Sequence, residues 1–221
     1  MGELAGRLVV VFGASGALGG GLAAEFVAAG ADVVGVVRSE PRGPLDGVRY
    51  ERADVADDQS LAELFARVGT PWAVVNTVGG YAPHRPLAEL DLDELNRQLA
   101  LNLVTAAAVT KHALRAMQPS GEGRIIHTSS RAATVTAGTG FAYSVSKAGV
   151  LHLVKMAAAE VAGSGITVNA VSPSIIDTPA NRAAMPGADF DSWPKVSEIA
   201  QAYLFLASPS ALRVNGAVLP V

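Results

Sequence analysis

At 221 residues the chain suits one α/β domain and is long enough to bury a large core. Half of it is apolar, mostly Ala and Val in short runs, and no stretch reaches the roughly 18 unbroken apolar residues of a membrane span. A net charge of -3 without a Lys or Arg block argues against a nucleic-acid partner, and the lack of cysteine excludes a disulfide scaffold, a thiolate nucleophile and a Cys-based metal site.

The elements follow one another in a regular alternation. Residues 7–12 form a short β-branched run, as expected of a strand buried on both faces of a parallel sheet. After a glycine cluster, Leu18, Leu22 and Phe26 recur every four residues, which predicts a helix that Gly30 ends. Residues 31–37 read as a second strand, 38–47 as a Pro/Gly-rich loop and 48–53 as a third strand. Leu61, Leu64, Phe65 and Val68 then give helical spacing behind the start signal Asp57-Asp58. A fourth strand at 72–76 precedes a long helix from about Asp91, a capping candidate with Glu94 three residues on, to about Met117. A fifth strand at 123–128, a long helix at about 141–162 and a sixth strand at 166–171 follow. After an irregular stretch over 173–194 come a helix at about 197–207 and a short last strand near 217–219. The pattern predicts one Rossmann-type, doubly wound parallel sheet of about seven strands with helices on both faces. The start of the chain shows no leader pattern, so a cytoplasmic address is expected.

The first turn carries Gly13-Ala14-Ser15-Gly16-Ala17-Leu18-Gly19. Glycines between a strand and a helix let the backbone approach a pyrophosphate, and the helix N-terminus offers free N–H groups to the anion. The same residues also suit a turn that is merely tight. Gly20 and Gly21 are expected to be close-packing residues. At the end of the second strand, Arg38 stands where an acid would accept from ribose hydroxyls, with Glu40 the first acid beyond. Arg38 can pair with a 2′-phosphate and Ser39 can donate to it, which favours NADP(H) and leaves NAD(H) possible; a solvated loop arginine is the alternative. Asp54 and Val55, ending the third strand, either flank the adenine or serve as a local cap.

Tyr143 and Lys147 lie four apart on one helix face. A free tyrosine is a poor base at neutral pH, and a nearby ammonium would favour its phenolate. Ser130 follows the fifth strand, and Asn76-Thr77-Val78-Gly79 follows the fourth, at the same sheet edge as the glycine loop. Open α/β sheets bind ligands at that edge.

On these residues the chain resembles the short-chain dehydrogenase/reductase family across nearly its full length. The family's Ser, Tyr and Lys match Ser130, Tyr143 and Lys147, its helix Asn matches Asn102, and its Asn-Asn-Ala-Gly motif appears as Asn76-Thr77-Val78-Gly79. Its Pro-Gly motif after the sixth strand appears as Pro173-Ser174, and Ile176 and Thr178 follow. The glycine signature departs from the family's, with Phe12 for Thr and Ala17 for the middle Gly. The resemblance implies that Tyr143 protonates a substrate carbonyl oxygen that Ser130 holds. Lys147 would bind the nicotinamide ribose and depress the Tyr143 pKa, and Asn102 would hold a water that relays protons. It implies further that Pro173, Ile176 and Thr178 border the cofactor, that about 174–196 closes over substrate, and that the protein is a homodimer or homotetramer.

Within the family, the glycine loop, Gly79-Gly80-Tyr81 and the segment from Asp177 to Trp193 are similar to dihydropteridine reductases, so an imine substrate is an alternative to a carbonyl. A nucleotide-binding regulator without turnover is a third reading, though it has no need of all four catalytic residues. Tyr81 and Trp193 are candidate substrate contacts, Trp193 equally a loop anchor. His84, His112, His127 and His152 are scattered, with none at ligand spacing to a carboxylate, and no metal is expected. His127, on a strand, is expected to be a satisfied core or near-site histidine.

Overall fold

A computed structural model describes residues 2–41, 43–81, 86–135 and 140–221. His84, one of the histidines considered above, lies outside them. Seven strands form one parallel sheet: β1 (Leu8–Phe12), β2 (Asp32–Val37), β3 (Val48–Arg52), β4 (Ala73–Asn76), β5 (Glu122–Thr128), β6 (Gly165–Ser172) and β7 (Val218–Pro220). Their order is β3-β2-β1-β4-β5-β6-β7. Strand order reverses between β1 and β4, so the loops leaving these two strands diverge and open a crevice at their C-terminal ends.

The inner strands are buried on both faces, which is why they read as continuous apolar runs. On one face Val10, Phe12, Val34, Ile125 and Val168 pack under α2 (Asp58–Val68), α4 (Thr105–Met117) and α5 (Phe141–Glu160). On the other, Val9, Val11, Ile126 and Val171 pack under α1 (Ala17–Ala28) and α7 (Val196–Ala207). The edge strand β3 carries Arg49, Glu51 and Arg52, charges that discourage pairing with another sheet.

The starts of α2 and α3 fall where side-chain oxygens can accept from free N–H groups. Asp57 caps α2 by accepting from Gln59 N, and Asp91 caps α3 (Leu92–Gln98) by accepting from Asp93 N. Two features differ from the sequence expectation. The long helix is not uniform: between α3 and α4, residues Leu99–Val104 form a wider π-type turn in which Thr105 N reaches Ala100 O. The stretch taken as irregular holds a short helix, α6 (Pro179–Ala184), capped by Thr178. Among the described residues no helix is long and apolar enough to cross a membrane.

Candidate active site

The glycine loop leaves β1 with Gly13 at φ +81, and a Cβ there would meet Thr77 Oγ1 at 2.6 Å. A Cβ at Gly19 would collide with Gly13 O, and one at Gly21 with Val196 of α7. These two are therefore packing glycines. The crest of the loop, Ser15, Gly16 and Ala17, is exposed, with Leu18 half-buried behind it. Gly16 caps α1 with no side chain, and the first turn carries no acid, so its first N–H groups are left without a side-chain acceptor and its positive end is uncompensated. This cradle fits a pyrophosphate.

Beside it lies a cavity of about 500 Å³ bordered by Ser15, Gly16, Ala17, Gly20, Gly21, Ser39, Glu40 and Tyr50. Gly20 and Gly21 thus both border the cavity, as does Glu40, the first acid beyond Arg38, and Tyr50 joins the site although sequence reasoning passed over it. Arg38 is exposed at the end of β2. Asp54 is engaged locally: its carboxylate accepts from Ala56 N at 3.0 Å, and Ser60 Oγ accepts from Asp54 N. Val55 packs half-buried against the core.

The turn after β4 is fixed from both sides. Thr77 Oγ1 donates to Phe12 O at 2.7 Å, and Asn76 Oδ1 accepts from Val78 N at 3.1 Å. A Cβ at Gly79 would meet Asn102 Oδ1 at 2.5 Å and Lys147 Nζ at 2.9 Å, so only glycine lets the turn come this close to both.

Asn102 sits in the π-type turn and is 1% exposed. Its Oδ1 accepts from Gly80 N at 3.0 Å, while Nδ2 reaches Gly80 O, Gln98 Oε1 and Ser146 Oγ at 2.9–3.1 Å. Ser146 Oγ in turn donates to Tyr143 O at 2.7 Å, which ties this turn to the start of α5. Gln98 and Ser146 were not singled out from the sequence. Their signal was available, because Gln98 stands one helical turn before Asn102, and Ser146 shares the Tyr143 side of its helix.

Lys147 and Tyr143 leave α5 on one face, with Nζ 6.0 Å from the phenol ring centre. Nζ donates to Thr128 O at 3.0 Å, and burial brings the lysine pKa down to about 8. Ser129 Oγ donates to Lys147 O, and the Thr128 and Tyr203 hydroxyls pair at 2.6 Å across the sheet, so both ends of this contact are held. Ser130 Oγ accepts from Ala132 N at 3.2 Å and also interacts with the Tyr143 phenol. The phenol pKa is raised rather than lowered, a correction to the sequence expectation: burial disfavours the phenolate, and Ser130 offsets only part of that.

Tyr81 is 70% exposed and meets the Tyr143 ring edge-on, with centroids 5.2 Å apart. Trp193 is buried against Phe190, whose ring the Arg182 guanidinium covers at 4.7 Å. Asp177 holds Arg182 through both carboxylate oxygens, and Asp177 N donates to Pro194 O. In this arrangement Trp193 anchors its loop. Pro173 O accepts from Arg131 N and Ile176 O from Asn181 Nδ2, which pins residues 173–181 beside Ser130. One histidine departs from expectation: the fold brings His112 to Asp58, Nε2 to Oδ1 at 2.8 Å, on a carboxylate that also takes Lys111 at 2.6 Å.

A family model described as Enoyl-(Acyl carrier protein) reductase matches residues 13–221. The chain is 35% identical to cis-4-hydroxycyclohexanecarboxylate dehydrogenase of Sinomonas cyclohexanicum, over 100% of this chain and 97% of that protein. It is 32% identical to D-threitol dehydrogenase of Mycolicibacterium smegmatis, over 99% and 92%. A solved short-chain type dehydrogenase/reductase from Mycobacterium ulcerans superimposes with a TM-score of 0.89 at 30% identity, covering 99% of this chain and 89% of that one. The chain therefore belongs to the short-chain dehydrogenase/reductase family and is an NAD(P)-dependent oxidoreductase.

Proposed function

We propose that the protein interconverts a small carbonyl compound and its alcohol with NADP(H), and that Tyr143 is the proton donor to the carbonyl oxygen. The observation that carries this reading is the placement of the Tyr143 phenol beside the Ser130 hydroxyl, with Lys147 Nζ 6.0 Å from its ring and Tyr81 against its edge. A phenol whose pKa is raised by burial stays protonated at neutral pH and is ready to donate to an oxygen that gains charge. Ser130 holds that oxygen by a second hydrogen bond, which favours a carbonyl over an imine or dihydropteridine substrate.

When bound, the nicotinamide supplies or accepts the hydride. The loop N–H groups at Ser15, Ala17 and Leu18 hold its pyrophosphate, while Gly13 and Gly16, whose N–H groups donate to Val36 O and Gly13 O, let the backbone approach it. Asn76, Val78 and Gly79, with Pro173, Ile176 and Thr178 opposite, border the nicotinamide half, and Lys147 binds the ribose hydroxyls. Asn102 keeps Lys147 in register and orders a water for proton exchange. Arg38 and Ser39 receive the 2′-phosphate, with Asp54 and Val55 near the adenine. The Glu40 carboxylate beside the cavity is the feature that supports NAD(H) as the alternative. The names of the two curated relatives, a hydroxycyclohexanecarboxylate dehydrogenase and a threitol dehydrogenase, support a small hydroxylated substrate. The segment over 174–196 closes over that substrate, with Tyr81 contacting it. The exposed apolar residues Leu101 and Val104 of the π-type turn before α4, with Val145 and Met156 of α5, support a homodimer or homotetramer formed through these two long helical segments, which light scattering tests.

The reading is tested by turnover of small cyclic and linear ketones with NADPH. Tyr143→Phe lowers kcat by about a thousandfold, the range for a positioned general acid; equal, measurable turnover in both proteins sinks the mechanism. Arg38→Ala lowers the NADPH-over-NADH preference by about tenfold, the worth of one charge-assisted hydrogen bond. An unchanged ratio removes the phosphate assignment.

A further inference from the structure

His127 is fully buried at the C-terminal end of β5 and makes two side-chain contacts that cross elements. Its Nε2 lies 2.8 Å from Thr110 Oγ1 of α4, and its Nδ1 lies 3.3 Å from Asn76 Nδ2 at the end of β4. The proton positions follow from counting donors. Thr110 Oγ1 donates its single proton to Ala106 O at 2.8 Å, so it can only accept from the ring, and Nε2 must carry hydrogen. A neutral ring then offers a lone pair at Nδ1, which accepts from the Asn76 amide. That leaves Asn76 Oδ1 free to accept from Val78 N, as observed. Every group in the chain Ala106, Thr110, His127, Asn76, Val78 is used once, in one direction.

This chain ends at the turn that matters most for the site. Thr77 presses on Gly13 and Gly19 of the anion loop, and Gly79 abuts Lys147 Nζ and Asn102 Oδ1. The turn therefore spans the distance between the pyrophosphate cradle and the reacting groups. A shift of Asn76 would move both contacts together. A proton on Nδ1 would face the Asn76 NH2 as a second donor and turn the amide over, costing the bond to Val78 N. Burial and the charge of Lys147 guard against this by pulling the His127 pKa down to about 4.

We infer that His127 is a positioning residue, which fixes the Asn76–Val78 turn against the glycine loop and Lys147 by accepting from Asn76 through Nδ1. The inference rests on the reading of that cleft as the cofactor and reaction site. Two substitutions separate its two bonds. In His127→Asn the amide oxygen stands where Nδ1 stood and keeps the bond to Asn76 while losing Thr110. In His127→Gln the longer amide reaches Thr110 and presents only methylenes to Asn76.

The probe is NADPH, with its dissociation constant read by nicotinamide fluorescence alongside the Tm of the unliganded protein. Each variant loses one buried bond, so the two share a similar drop in Tm. The NADPH dissociation constant rises about tenfold in His127→Gln, the fold-change of one net hydrogen bond, and stays within about twofold in His127→Asn. Equal weakening in both variants, or none in either, overturns the inference. Imidazole 15N NMR of the wild-type protein at pH 7 provides an arm that needs no variant: hydrogen on Nε2 is expected, and hydrogen on Nδ1 overturns it. None of these readouts depends on turnover. Failure of the Tyr143 mechanism would therefore leave them interpretable.

Discussion

Each end of the sheet buries a cation, and the two are treated differently. At the N-terminal end Arg124 is 2% exposed and lies over the Trp72 ring at 4.6 Å, with Arg7 against the same ring at 3.7 Å. Its guanidinium donates to the carbonyls of Gly123, Gly165 and Ser208, and Trp72 Nε1 donates to Ala207 O at 2.7 Å. The bonds to Ala207 O and Ser208 O close carbonyls at the end of α7, and those to Gly123 O and Gly165 O close carbonyls at the starts of β5 and β6. At the C-terminal end Lys147 is 5% exposed, yet among the described residues its Nζ donates one hydrogen bond, to Thr128 O. Arginine at one end spends its planar fork on the protein's own carbonyls. Lysine at the other keeps donors in hand, next to a phenol and a serine. A buried cation with three bonds to backbone carbonyls holds the structure together; one with a single bond keeps donors for the ligand proposed above.

The contrast can be broken most sharply at Lys147. Lys147→Met abolishes measurable ketone turnover, a loss of at least about a hundredfold, while raising the Tm of the unliganded chain at pH 7. The sign follows from the lowered pKa. The cost of burying the ammonium is complete below about pH 8, where folded and unfolded chains both carry the proton. That cost fades as pH rises from about 8 toward the ordinary lysine value of 10.5, because the folded chain sheds its proton first. The stability advantage of the variant over wild type therefore shrinks across that window in urea unfolding. A gap that widens with pH would show that the lysine stabilises the fold.

Arg124→Leu is the opposite case. It leaves buried carbonyls without donors and costs about 3 kcal/mol in urea unfolding, while kcat of the folded enzyme stays unchanged. A loss of kcat at unchanged stability would erase the distinction between the two ends. Trp72→Phe keeps an aromatic surface for both arginines but removes the bond to Ala207 O. It lowers stability by about 1 kcal/mol, the smallest effect of the three.

Much of this was legible in the chain itself. The strands announced themselves as β-branched runs because both their faces are covered, and the order of strands and helices implied the parallel sheet. The Tyr143 and Lys147 spacing placed both on one helix face before any fold was known. Other features had no local signal. Nothing in residues 99–104 distinguishes a π-type turn from regular helix; the widening accompanies Asn102 being drawn to Gly80 and to Ser146, which lies 44 residues away. The Asp58 and His112 pair joins residues 54 apart. The direction of the Tyr143 shift depends on how much solvent the fold removes from the phenol, a quantity that helix spacing does not contain.

The sequence by itself determined the sheet, the glycine-rich first turn and the chemical kinds of group gathered at the C-terminal edge. These depend on periodicity, on glycine's lack of a Cβ and on residue type, all of which are local properties. Tertiary structure alone decided the roles of the polar groups. It tied Arg124 to three carbonyls, left Lys147 with donors to spare, buried the Tyr143 phenol beside Ser130 and aligned Thr110, His127 and Asn76 into one hydrogen-bonded chain. Burial and the pairing of donors with acceptors are set between elements distant in sequence, so they exist only once the chain has folded.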